Sequence, residues 1–204
     1  TLHAAGTGGP TMEMLAGSGV LDGMLDIAPT EITDLLLGGA FACAENRLLG
    51  AAASCLPYLL VPGALDCWKF RAPDTVPESY RGRTTYAHNP EVTLIRPDAA
   101  EFGRIGRWIG QRLSAFSTPF RILLPEGGLS SIDGPGRPFD DPLANAALFD
   151  ALVDELAANA NCTLDRLPYH VNDPEFADAI ATGFLELIAA APVSAARLAT
   201  VEPS

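Results

Sequence analysis

Apolar and polar positions alternate between short blocks and longer helical stripes along most of the chain, the pattern of α/β units with a parallel sheet. Leu2–Ala5 reads as a strand end, followed by a helix over about Thr11–Ala16, with Pro10 suited to a first helical turn. Val20–Ile27 is strand-like, and Thr30–Leu37 reads as a helix stopped by Gly38-Gly39, with Thr30 as its N-cap. Glu45–Ser54 is Ala- and Leu-rich helix leading to the apolar strand Tyr58–Val61. No period stands out from Pro62 to about Pro90, so this stretch reads as a long lid or binding loop. Asp98–Phe116 is a long helix carrying Phe102, Ile105, Ile109 and Leu113 on one stripe. Phe120–Leu124 is a strand, Gly127–Pro142 a Gly/Pro-rich loop, Leu143–Ala158 a helix and Thr163–Tyr169 a strand. Pro174–Ala190 is the last helix. The expected fold is Rossmann-like: a mostly parallel sheet with helices on both faces, one domain over residues 1–190 and a loose tail over 191–204.

Composition narrows the partners. Of 204 residues 48% are apolar, enough for a core, and the net charge of −12 leaves no basic excess for nucleic acid or anionic lipid. No apolar stretch has spanning length, so the expectation is a soluble, cytoplasmic protein with no membrane partner. The cysteines Cys43, Cys55, Cys67 and Cys162 form no C-x-x-C pair and read as reduced thiols rather than zinc ligands or disulfides.

Chemistry-capable residues follow the predicted strands. Gly6-Thr7-Gly8-Gly9 follows the first, Thr30-Glu31 the second, Gly63 and Asp66 the third. Ser130, Ser131 and Asp133 follow the fourth, His170 to Asp173 the fifth. In a parallel sheet all five clusters lie at the carboxyl edge, where open α/β folds bind ligands. GTGG is either a tight turn or an anion cradle built from N–H groups at a helix N-terminus. It lacks the Lys-Ser/Thr of a P-loop, and Thr11 stands where a dinucleotide fingerprint has its third glycine. Glu31 is either a first-turn acid or a catalytic base; Asp66 and Asp133 are turn residues or site residues; Asn172-Asp173-Pro174 has the form of an N-cap. Among the three histidines, His3 falls in the first strand, whereas His88 and His170 are acid/base candidates with Asp66 or Asp173 to orient them. No tight His spacing marks a metal, and no G-x-S-x-G elbow marks a serine hydrolase. Arg71, Arg81 and Arg83 either clamp an anion or pair with Asp74 and Glu78.

Taken in order, "HAAGTGGPTMEML", "GMLDIAPTEITDLLLGG", "VPGALD", "YAHNPEVTLIRP", "LLPEGGLSSIDGPGRPFDDPLANAALFDAL" and "YHVNDPEFADA" resemble the Tm-one-like ATP-binding family. This group of bacterial and fungal proteins also includes a plant inhibitor of tobamovirus RNA replication. The resemblance covers about residues 2–190 and implies the C-terminal half of a protein with two α/β halves, ATP being bound mainly by the N-terminal half. It also implies association with that half and with further copies. Thr30, Glu31, Asp66, His88, Asn89, Asp133, His170, Asn172 and Asp173 stand where the family pattern has them. Two departures are Ala28-Pro29 in place of threonines, and Trp68-Lys69-Phe70 in place of Asn-Phe. The resulting expectation is half of an enzyme for a small anionic or phosphorylated ligand. His88, His170, Asp66, Asp173 and Glu31 would be its chemical groups. Gly6, Thr7, Gly8, Gly9, Thr30, Gly63, Asn89, Asp133 and Asn172 would be its ligand contacts. A nucleotide-dependent scaffold without turnover is the alternative.

Overall fold

Apolar residues on both faces of short strands build a two-sided sheet in the computed structural model, which describes residues 8–191. The expected strand at Leu2–Ala5, with His3, Gly6 and Thr7, lies outside the described residues, as does the tail from residue 192. Four strands form one parallel sheet: β1 (Met24–Asp26), β2 (Tyr58–Leu60), β6 (Phe120–Pro125) and β7 (Cys162–Leu167), in the order β1-β2-β6-β7. Tyr58 and Leu60 of β2, with Phe120, Ile122 and Leu124 of β6, face one core. Into it pack α3 (Leu49–Ser54), α4 (Ala99–Leu113) and α5 (Pro142–Leu156). Leu59, Val61 and Leu123 face the other side, where Phe176 and Ile180 of α6 (Pro174–Ala190) cover them. Alternate residues of a strand point to opposite faces, so a strand buried on both sides is apolar throughout. Helices therefore lie on both faces.

Two helices begin where their sequence sets them. Asp98 and Glu101 close a capping box at α4, and Asp141 accepts from Ala144 N–H at α5. At α2 (Glu31–Leu37) Thr30 occupies the N-cap position, but its backbone is helical and its hydroxyl bonds elsewhere, so it is not the cap that its type suggests. Gly38 ends α2 in the left-handed conformation, as a glycine stop should. The helix expected from Glu45 starts only at Leu49, because Leu48 has φ +76 and breaks the run.

The stretch Pro62–Pro90 is not a structureless loop. It contributes β3 (Trp68–Phe70) and β4 (Thr85–Asn89), which pair with β5 (Val92–Ile95) in a separate antiparallel sheet of order β3-β5-β4. Trp68, Phe70 and Ile95 form a small core of their own with Val76 and Tyr80 against Leu37. This sheet stands beside the carboxyl edge of the parallel one, and its β4–β5 hairpin carries His88.

Candidate functional site

The carboxyl ends of the parallel strands are stitched to one another by main chain. Val61 N–H donates to Asp26 O at 2.8 Å, Gly63 N–H to Ile27 O at 3.2 Å, and Ala64 N–H to Leu129 O at 2.8 Å. Gly127 N–H donates to Tyr169 O at 2.9 Å and Val171 N–H to Gly128 O at 3.0 Å. Gly63 is required here, since a Cβ would lie 2.4 Å from Ile27 O. Between these ends and the second sheet is a cavity of about 400 Å³. Its polar lining is Thr30, Lys69, His88, Ser130, Ser131 and Asn172, and its apolar walls include Ile27, Val92, Leu129 and Val171.

The structure thus brings Thr30, Gly63, His88 and Asn172 together around one space. Asp133, His170 and Asp173 instead brace the loops behind it. Asp133 Oδ2 accepts from Leu129 N–H and from Asn145 Nδ2, both at 2.8 Å, and Asn145 Oδ1 accepts from Arg96 Nη2 at 2.6 Å. His170 Nδ1 accepts from Asn172 N–H at 3.0 Å, so the ring proton sits on Nε2, which faces Ser130 O at 2.9 Å and Asp133 O at 3.0 Å. Both ring nitrogens are engaged by main chain. Asp173 stands at the N-cap of α6 with Pro174 in its first turn, but its carboxylate reaches back to His170 N–H at 2.7 Å. Asn89 Oδ1 accepts from Glu91 N–H at 2.8 Å, a bond that shapes the hairpin tip beside His88.

Asp66 lies behind Ser130, wholly buried, and accepts its hydroxyl proton at 2.6 Å. Burial pushes the Asp66 carboxyl up to about 6, with Asp133 adding to the effect and the Ser130 bond and Arg96 opposing it. Burial also pushes the neighbouring Cys67 thiol far up, so it is no thiolate. At the rim, Lys69 Nζ donates to Thr30 Oγ1 at 2.7 Å and lies 3.3 Å from Asp34 Oδ2. The four cysteines are free. Of the three loop arginines, Arg81 pairs with Glu78, Arg83 with Glu101, and Arg71 stacks on Phe41.

Glu31 lies elsewhere, in a cluster that sequence reasoning missed. The Arg47 guanidinium donates to Glu31 Oε1 at 2.8 Å, to Glu13 of α1 (Gly9–Gly17), and to Asp26 of β1. Glu13 further accepts from Leu48 and Gly50 N–H, and Tyr58 donates to Asp26. Burial works against the Arg47 charge, but Asp26, Tyr58 and Glu31 outweigh it. Burial raises the Glu31 carboxyl more than Arg47 lowers it. Among the described residues no three His, Cys, Asp or Glu side chains are placed to hold a metal ion; here the guanidinium occupies the centre. Gly8 is the N-cap of α1, and a Cβ on Gly9 would lie 2.3 Å from Arg47 Nε. The sequence signal for this cluster was an arginine entering an Ala-rich run and an aspartate inside the apolar Met24–Ile27.

Residues 1–188 match the family described as "Uncharacterised protein family (UPF0261) C-terminal domain". A UPF0261 protein of Mesorhizobium japonicum is 51% identical over 185 residues, covering 91% of this chain and 46% of the relative. One from Rhizobium meliloti is 48% identical over the same shares. The ToMV resistance protein Tm-1 of Solanum lycopersicum is 38% identical over 185 residues, 91% of this chain and 24% of its own length. The chain spans about half the length of these bacterial relatives and about a quarter of the tomato one.

Proposed function

The chain belongs to the UPF0261 family, corresponding to the C-terminal domain of its members, and on that premise we propose that it binds a small anionic ligand at the carboxyl edge of its sheet as one half of an enzyme. The observation that carries this reading is the charge of the cavity. In a chain of net charge −12, the residues lining it include an ammonium and an imidazole, Lys69 and His88, and no carboxylate among the described residues. Its volume suits a metabolite, and its mixed lining suits a carbon skeleton with a polar end. His88, on an exposed edge strand, is the ionisable side chain best placed to exchange a proton with such a ligand.

ATP is the first probe, because the resemblance is to ATP-binding proteins. Calorimetric titration would use ATP, pyrophosphate and citrate against the chain and a Val92→Trp variant that fills the cavity. One of these anions is expected to bind with unit stoichiometry, at least ten-fold more weakly in the variant. Absence of binding by all three, or binding indifferent to Val92→Trp, sinks the reading. A binding role without turnover is the second reading, and the bracing of His170, Asp133 and Asp173 by loop main chain is what favours it. No helix among the described residues is long and apolar enough to cross a membrane.

A further inference from the structure

Asp66 is the buried acid at the carboxyl edge whose placement loop architecture does not explain. Asp133 collects a main-chain N–H and a side-chain amide, and Asp173 collects the His170 N–H. Asp66 takes the Ser130 hydroxyl on Oδ2, while its Oδ1 is buried with no hydrogen-bond partner; Oδ1 of Asp133 has none either, but lies 3.7 Å from the Arg96 guanidinium. An orphaned carboxylate oxygen in the interior is costly, and such groups in native proteins usually have a chemical reason.

Ser130 is fixed on every side but one. Its carbonyl accepts from His170 Nε2 at 2.9 Å, and its Oγ donates to Asp66 and accepts from Ile132 N–H at 3.2 Å. A hydroxyl has two lone pairs, so one remains on the side shared with the neighbouring Cys67 thiol, and both residues line the cavity. We propose that Ser130 is a nucleophile of this cavity, with Asp66 behind it as proton acceptor, acting on an activated acyl compound such as an ester or thioester of a small acid. The proposal rests on the cavity being the ligand site. Ser130 Oγ bonds to the carbonyl carbon, its proton passes to Asp66 Oδ2, and Asp66 hands that proton to the leaving oxygen or sulfur as its bond to the carbon breaks. Water then attacks the acyl carbon and gives a proton to Asp66 Oδ2, which passes it to Ser130 Oγ as the acyl–oxygen bond breaks, so the acid leaves and Ser130 regains its hydroxyl. Lys69 and His88 share the cavity and offer an ammonium and an imidazole hydrogen-bonding group to the anionic part of the compound. Ser130 lies on a loop, not on a strand-to-helix elbow, so the absence of G-x-S-x-G says nothing about it.

The acceptor must be ionised to act. Burial holds Asp66 at about 6, within the field of Asp133, which raises it, and of Arg96 and the Ser130 bond, which lower it; the buried Cys67 beside it stays protonated. The Ser130 reaction rate should therefore rise about ten-fold per pH unit below about 6 and level off above it.

The test uses two small acylating or phosphorylating reagents, p-nitrophenyl acetate and diisopropyl fluorophosphate, followed by peptide mass mapping. The expected result is one adduct, at Ser130, with that pH profile. It is absent in Ser130→Ala and slowed at least 100-fold, without the pH step, in Asp66→Asn. Should Asp66→Asn fail to fold, the pH profile of the unaltered chain decides the role of Asp66. No Ser130 adduct with either reagent, or a rate flat in pH, overturns the proposal. Anion binding that persists without an adduct overturns the nucleophile and leaves the ligand site standing. Labelling of Ser130 unchanged by Val92→Trp overturns its placement in the cavity.

Discussion

Replacing Arg47 by Met keeps most of the stem's volume and removes the one charge that three buried carboxylates share. The side chains of Arg47, Glu13, Asp26 and Glu31 are 1%, 9%, 8% and 2% exposed. After the change Glu13 keeps Leu48 and Gly50 N–H, and Asp26 keeps the Tyr58 hydroxyl. Glu31 keeps no side-chain partner, because Oε1 loses Arg47 and Oε2 has none to begin with. Breaking one partner from a buried pair costs about 3–5 kcal/mol, and Glu31 alone places the loss in that range. That is a large share of the roughly 5–15 kcal/mol that holds a domain together. Urea denaturation followed by circular dichroism at pH 7 measures it. Adding Glu31→Leu to Arg47→Met should recover about half the loss, since the orphaned charge is then gone. The sign with pH is also set. Burial already raises the Glu31 carboxyl above its unfolded value, and loss of Arg47 raises it further, so the folded variant holds more protons. Its deficit grows as pH rises above the ordinary carboxylate range. A loss below about 1 kcal/mol, or a deficit that is constant with pH, refutes the account of the cluster.

Asp66 gives a second linkage effect of the same sign: its carboxyl is near 6 when folded against an ordinary 3.8. The unaltered chain should lose about 3 kcal/mol relative to Asp66→Asn as pH rises from about 4 to 7, read by paired urea titrations. Gly9→Ala places a Cβ 2.3 Å from Arg47 Nε; it should cost about 1–3 kcal/mol by thermal unfolding. Gly63→Ala meets Ile27 O at 2.4 Å, a backbone atom that cannot swing aside, so about 2 kcal/mol is expected together with weakened anion binding by calorimetry. Ala64, at φ +53 in the wall of the cavity, is held in the left-handed region; Ala64→Gly should raise stability by about 0.5–1 kcal/mol in the same melts.

What the sequence made legible was local. The helix at Pro174–Ala190 was readable because an aspartate and a proline precede its apolar stripe, and the helix after Asp98 because Phe102, Ile105, Ile109 and Leu113 recur on one face. The paired antiparallel strands between Trp68 and Ile95 were not. β3 has three residues, and β4 is an edge strand with no buried position, so it shows none of the alternation that a buried face imposes. The carboxyl-edge grouping followed from the succession of parallel strands, which is why Thr30, Gly63 and Asn172 could be expected near one another; His88, in the long loop, joined them only as an acid/base candidate. Which of the polar residues face the cavity and which brace its loops was settled by contacts across long stretches of chain. His170 meets Ser130 and Asp133, and Glu31 meets Arg47, at separations that no local pattern records.

The same contacts bear on the glycine turn. An anion at Gly8 and Gly9 would gain from the amino end of α1, worth roughly half a positive charge, though Pro10 removes one of its N–H donors. Directly under Gly9, however, Arg47 is outnumbered by Glu13, Asp26 and Glu31, so the cluster carries a net charge of about −2 when all four are ionised. Protonation of Glu31, favoured by its burial, reduces that surplus without reversing it. At the cavity the balance is different: Lys69 lines the space, while Asp34, 3.3 Å from it, and Asp66, behind Ser130 and ionised above about pH 6, are wholly buried and do not. On this count the acidic surplus is smaller at the cavity than under the turn, which supports the cavity as the proposed anion site. It leaves Gly9 a steric reason to be glycine, namely that only a residue without a Cβ lets the start of α1 rest on a buried guanidinium.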